Sequence, residues 1–534
     1  MVKSHRFCNM KKSIVYSLLC GFLMLGSSCS EDFLDLKDPN RASADTYWNH
    51  EEDYRLAINA AYSCFRLPGY FGRWYHADMI LRGDEGWSKS PAPHWIAIAT
   101  FNTTSYSSSE GVVQPWLMLY RQIFYCNQIF DYMNDRGYAL FTDKGEADRI
   151  LGQAYFMRGF SYWYLAGTYA KGPRQINSTD NGEVIEQEEI YKQALADFTE
   201  AEKLLPVDWT DFGSAEKGRI TQGGAKAMIA KVAMQLAGYY KRPANDASQA
   251  PTYWQLAKTK MDEIESLGIY HLVPEYRDNF SEFNELNEES IFEIIFRDEI
   301  YNGKEVGTQR GKFIGFPVGG IGAWHDVYAR AWLLDEFKKE LNAAGKEDPR
   351  LSATLIWNKP GDTTRYYGKT WAQWNADEEL TQVCYWNKYT NAEFKASEDY
   401  KNGINFRVVR LADIYLMQAE VINELGGDRT LAVEYINKVR RRSGMADLNV
   451  SSLNTYETLL ERIKHERLVE LCGESTRWYD IDRWGILFNQ EEINWLALNR
   501  DEDFSTFRIG ISHRFIIPNS EISLYSGLTQ NIGY

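Results

Sequence analysis

Two sets of side chains in this sequence could do chemistry. In the first, Arg467, Glu470, Glu474, Arg477, Asp480 and Arg483 follow one another at steps of three or four. If one helix carries them they share a face, and their opposite signs can pair. Leu468, Val469, Leu471, Trp478, Tyr479, Ile481 and Trp484 lie between them, so the ladder should be partly buried. Acid–base cleavage of a glycosidic bond needs two carboxyls opposed across a cleft, about 5 to 9.5 Å apart. Carboxylates interleaved with arginines on one helix are neutralised by their neighbours instead. The ladder therefore reads as a structural ion-pair network.

The second set mixes aromatics with a few polar groups. Trp74, Tyr75, Arg82, Asp84, Glu85, Trp87, His94 and Trp95 fall within 22 residues of one another, and Trp324, His325 and Tyr328 follow a Gly-rich run. A sugar ring has a face of C–H groups and an equator of hydroxyls. A Trp or Tyr stacks on the face, as aromatic platforms hold bases. Polar side chains bond the hydroxyls in the plane. On this logic Trp87, Trp95, Trp324 and Tyr328 are the expected platforms, and Arg82 and Asp84 the in-plane contacts. Trp74 is a weaker candidate, because Phe71 and Tyr75 suggest a packed cluster. The competing reading of each aromatic is plain packing.

Other chemistry finds little support. There is no H-E-x-x-H, Walker loop, G-x-G-x-x-G or G-x-S-x-G, and His465-Glu466 lacks a second His. No C-x-x-C pair and no histidine cluster suggests a metal, and no cofactor is expected. The net charge of −15 argues against nucleic acid, which needs a basic footprint. Attraction to anionic polysaccharide should also be weak, unless a local basic patch exists.

Helical hairpins must position these groups. Residues 51–65 carry Tyr54, Ala57, Ile58, Ala61 and Phe65 on one face, and their expected partner is 116–133. Further pairs are 147–169 with 188–205, and 221–240 with 253–267. In the fourth, 406–443, two amphipathic patterns flank Gly426-Gly427-Asp428. The fold class is mainly α: four helix pairs of tetratricopeptide type, with a less regular subdomain for the ligand. The expected regions are 46–270, with an irregular binding insert at 66–114, and 271–534, with an irregular part at 271–405. Residues 290–296 read as a buried strand, 328–337 as a short helix, and 354–390 as short strands and loops. Cys64 and Cys126 sit on pairing helices, either as a disulfide or, the favoured reading, as two buried thiols.

Residues 1–28 read as a targeting segment. Lys11 and Lys12 precede an apolar run, 13–25, too short to span a bilayer. Gly26-Ser27-Ser28-Cys29 resembles a bacterial lipoprotein cleavage site, with Cys29 the lipidated residue. Residues 29–45 would be a tether, with Ser30-Glu31-Asp32 resembling an acidic surface-export signal.

Three stretches resemble SusD/RagB-like outer-membrane glycan-binding lipoproteins: AVEYINKVRRRSG with Arg410 and Glu420, HERLVELCGESTRWYDIDRWG, and the last residues, FIIPNSEISLYSGLTQNIGY. Ser475 stands where the family pattern has Gly, and Ile516 and Ile532 where it has Pro. The resemblance implies a right-handed superhelix of four helix pairs. It implies non-covalent capture of an oligosaccharide, without turnover, through aromatics in the two regions named above. It also implies a SusC-like TonB-dependent transporter as partner, and a lipid anchor in the outer membrane. The rival readings are a glycoside hydrolase on a helical scaffold and a peptide-binding transporter lid.

Overall fold

The structure is a computed structural model, and it describes residues 47–102, 108–301, 304–305, 307–316, 324, 326–374, 384–397 and 402–534. The targeting segment, Cys29, the tether and His325 lie outside the described residues. Packing divides the chain into Met1–Asp53 and Tyr54–Tyr534. In the first unit, Asp53 accepts hydrogen bonds from the backbone N–H groups of Asn49 and His50 at 3.0 and 2.9 Å. Everything that follows concerns the second unit.

The second unit is mainly α-helical. The helices used below are α1 (Glu51–Phe65), α2 (Trp74–Arg82), α3 (Pro93–Ala99), α4 (Glu110–Tyr132), α5 (Lys144–Thr168), α6 (Gln187–Leu204), α7 (Gln222–Tyr240), α8 (Ala250–Ser266), α9 (Leu411–Glu424), α10 (Arg429–Arg442), α11 (Tyr456–Leu471) and α12 (Arg477–Arg483). From α4 to α10 each helix packs on the next, across the long excursion between α8 and α9. The first pair is tied by side chains: Gln122 donates to the Ala61 carbonyl at 3.1 Å and Tyr54 to the Tyr132 carbonyl at 3.0 Å. Cys64 and Cys126 are buried free thiols, so this pair has no covalent link.

Helix α5 is the centre of the array. Its Arg158 forks onto Asp197 of α6 at 2.9 and 2.6 Å and reaches Asn127 of α4 at 2.8 Å, so one buried cation binds three helices. Aspartate and threonine caps open several helices, as Asp143 does by accepting from Gly145 N–H at 2.9 Å.

The insert and the irregular excursion carry short strands. In chain order the strands used below are β1 (Gly86–Trp87), β2 (Ser290–Ile294), β3 (Tyr328–Ala329) and β4 (Phe406–Arg410). β2 pairs antiparallel with β4, and β1 with β3. The expected helix at 328–337 is confined to Trp332–Phe337, because Tyr328 and Ala329 form the rung with β1.

Two expectations are corrected. The insert at 66–114 is largely helical: it contains α2 and α3, and α4 begins at Glu110, with Pro115 tolerated near its start. The charged ladder is not one helix. Chain geometry ends α11 at Leu471 and starts α12 at Arg477, with Gly473 and Ser475 between them at φ +76° and +65°. Ser475 thus holds a left-handed conformation that suits glycine, the residue the family pattern places there.

Asp480 pairs with Arg467 and Arg483 within the ladder, while the other ladder residues also reach outward. Arg467 forks onto Asp480 at 2.9 and 2.8 Å. Glu470 is shared by Arg350, Arg410 and Arg442. Glu474 meets Arg410 and Lys388, both at 2.8 Å. Arg483 joins Glu420 of α9 to Asp480. All of these side chains are buried. Burial pushes the Glu470 carboxyl upward, but the arginines around it win and hold it well below the usual carboxylate range.

Candidate functional site

The site is built where the insert meets the segment around Trp324. Arg73, just before α2, lies against three indoles. Its guanidinium carbon is 4.9 Å from the Trp74 ring centre, 5.1 Å from that of Trp95 and 5.8 Å from that of Trp324. Trp74 and Trp95 stack on each other at 4.5 Å, and His94 meets the edge of Trp74 at 5.0 Å. Trp74 and Trp95 are completely buried, whereas Trp324 is 40% exposed. The backbone N–H of Trp324 donates to the Lys312 carbonyl at 2.6 Å, which fixes where the indole starts. A planar cation held against an indole steadies the ring on which a flat apolar partner can stack.

A second aromatic pair lies on the β1–β3 rung. Trp87 faces Tyr328 in register and stacks on it at 4.6 Å. The Trp87 indole N–H donates to the Ala329 carbonyl at 3.2 Å. Ser90 donates to Asp326 at 2.6 Å, a further tie between insert and segment. Tyr328 is buried among Phe316, Tyr366 and Tyr385, with Trp87 half-buried against them.

Of the expected site residues, Trp324 alone offers a large exposed aromatic face. Trp74, Trp95 and Tyr328 are core residues that support it or the neighbouring rung. Arg82 and Asp84 are fully buried. Arg82 sits between Trp478 at 4.3 Å and Phe515 at 4.4 Å and donates to the Ser512 carbonyl. Asp84 receives Arg477 on both oxygens at 2.6 and 2.8 Å, and Arg500 at 2.9 Å. Burial raises the Asp84 pKa, but the two arginines overcome it and hold the carboxyl well below its ordinary value. Asp84 is saturated by the two arginines, and Arg82, with two guanidinium nitrogens unpaired, is fully buried between the rings, so neither reaches a sugar hydroxyl. Next to them Glu85 is pushed up to about 8, first by burial and then by the Asp84 charge.

Arg73 was missed by the sequence reading. Its only signal was adjacency to Trp74, and nothing in the spacing showed that three tryptophans from separate segments would gather on it.

A family model described as the SusD family matches residues 288–534, and a second, described as starch-binding and associating with the outer membrane, matches residues 84–234. The chain belongs to the SusD/RagB family. A SusD-like protein of Formosa agariphila is 27% identical over 546 residues, spanning 94% of this chain and 93% of its own. The starch-binding protein SusD of Bacteroides thetaiotaomicron is 22% identical over 435 residues, 73% of each chain. Among solved structures, a SusD superfamily protein from Bacteroides vulgatus overlays with a TM-score of 0.78 at 23% identity, covering 92% of this chain and all of that one. Surface glycan-binding protein A of B. thetaiotaomicron in complex with laminarihexaose overlays at 0.70 and 20% identity, covering 90% and 100%. The overlays show that the chain shares the mainly helical fold of SusD-superfamily structures.

Proposed function

We propose that this SusD/RagB member captures an oligosaccharide on the face presented by Trp324 and passes it to a TonB-dependent outer-membrane transporter. The exposed Trp324 indole, backed by the Arg73 guanidinium and seated on the buried Trp74–Trp95 stack, is the observation that carries the reading. A platform held from behind loses little freedom when a ring lands on it. Starch binding by SusD and the laminarihexaose complex of the glycan-binding relative support a saccharide as the ligand. Binding is non-covalent and without turnover, since each ladder carboxylate is already neutralised by buried cations. One stacking face and few polar contacts imply a modest affinity, on the order of micromolar to millimolar. A lipid on Cys29 would hold the protein at the outer membrane, on the cell surface, beside its transporter.

A glycan array with the purified chain identifies the sugar, and calorimetry with that sugar tests the site. Trp324→Ala should remove about 1 to 3 kcal/mol, taking base stacking as the analogue. From a weak start this reads as complete loss. Stability should stay within about 0.5 kcal/mol of the parent. Unchanged affinity in Trp324→Ala, or no glycan bound on the array, would overturn the proposal. For the anchor, Cys29→Ala should move the protein from the membrane fraction to the soluble one; unchanged fractionation excludes lipidation there.

A further inference from the structure

Away from Trp324, the second unit has a cleft of about 390 Å³ between α1, the loop before α7 and the end of β2. It adjoins another of about 520 Å³, with Lys217, Gly218, Arg219, Phe292 and Glu293 lining both. Both volumes lie within the range of small-ligand sites. We infer that the first cleft is a second saccharide site, selective for a sugar that carries a carboxylate.

The charge of the lining is the first ground. In a chain of net charge −15, four cations converge here: Arg66, Lys217, Arg219 and Arg297. Arg219 is engaged, pairing with Glu216, bonding Asn59 at 2.9 Å and lying over the Tyr62 ring at 5.4 Å. Arg297 pairs with Glu299 at 3.3 Å. Arg66 and Lys217 are exposed, and neither side chain makes an ion pair or hydrogen bond among the described residues. Partial burial of the guanidinium, and then the charge of Arg297, draws the Arg66 pKa down. Of the two lining carboxylates, Glu299 is taken by Arg297. Glu293 is turned inward, accepting from Leu286 N–H at 2.9 Å, Ser290 at 2.7 Å and Asn405 at 2.7 Å.

The shape and polarity of the cleft are the second ground. Phe65, Phe292, Ile294 and Ile295 contribute apolar lining beside those cations. A uronate ring fits this pairing. Its C–H face covers apolar surface, and its coplanar carboxylate meets a guanidinium fork in two parallel hydrogen bonds. A small inorganic anion would leave the apolar lining wet. This is the local basic patch without which an acidic chain has little attraction for anionic polysaccharide. That the ligand is a saccharide rests on the proposed function; the place and the charge preference do not.

The test titrates the full chain with trigalacturonate and triglucuronate, with galactotriose as the neutral control. At least one uronate should bind, the neutral sugar should not bind at this cleft, and added salt should weaken the uronate. Arg66→Ser and Lys217→Ser remove side chains that bond nothing in the fold, so both variants should keep their melting temperatures. Each should weaken uronate binding about tenfold or more. Trp324→Ala should leave it unchanged, which separates this inference from the Trp324 site. It is overturned if neither uronate binds, if the double variant binds as the parent does, or if Trp324→Ala abolishes uronate binding. Failure of the Trp324 reading shows instead as neutral-sugar binding indifferent to Trp324→Ala.

Discussion

Arg477 and Asp84 show what residue types can and cannot tell. Arg477 was expected to pair within the charged ladder; it pairs instead with Asp84, 393 residues earlier in the chain. Arg477→Ala would leave the buried Asp84 with Arg500 alone, and should cost about 3 to 5 kcal/mol of stability. Thermal or denaturant melts check this, and a variant as stable as the parent would show the pair to be dispensable. The structural character of the ladder was legible, because alternating signs with apolar residues between them leave no lone carboxylate. The fate of Arg82 and Asp84 was not. A polar residue among tryptophans has the same signature whether it faces a ligand or a buried partner, and the partners here come from distant segments.

Elements were legible where they show one wet face. α1 and α10 each alternate between core and solvent at helical spacing, and each is where the sequence places it. α2 gave no such pattern, because every residue from Trp74 to Arg82 is buried and a helix buried all round has no period. The contact of α7 with α12 turns on one position. A Cβ on Gly238 would come within 2.6 Å of the Arg483 Cβ and 2.7 Å of its carbonyl oxygen. Alanine would gain about 1 kcal/mol of helix propensity, but the overpacking should cost about 1 to 3 kcal/mol, and the obstacle includes backbone. Gly238→Ala should therefore lower the melting temperature; a rise would mean that α12 can shift freely.

Across the whole molecule, buried carboxylates give stability a peak in pH. Glu85 titrates near 8 in the fold and near about 4.3 unfolded. Between those values the folded chain binds the extra proton, so stability is lost as pH rises through the window. Asp84, Asp413 and Glu470 are held below their ordinary values: burial raises each, and the neighbouring cations outweigh it. Their contribution is present above the unfolded pKa and is lost as pH falls through the folded one. Melting temperature should peak near about pH 5, and Glu85→Gln should lessen the alkaline loss without abolishing it, because Asp501 and Glu285 are raised too, to about 8 and about 7. Calorimetric scans between acid and mild alkali test this, and a flat alkaline side in the parent would contradict it.

The end of α5 carries a consequence in time. Its last turn leaves the carbonyls of Thr168 and Tyr169 unpaired within the helix. They are taken by the Phe515 N–H and by the Asn531 side chain, each at 2.8 Å, the second from 362 residues further on. Gln530 clasps the Ile517 backbone through both its donor and its acceptor, holding this tail in place. The central helix of the array is thus completed by residues that are made several hundred positions after it. A chain emerging in order can form its early hairpins at once, but the end of α5 keeps two open carbonyls until the 515–531 segment arrives.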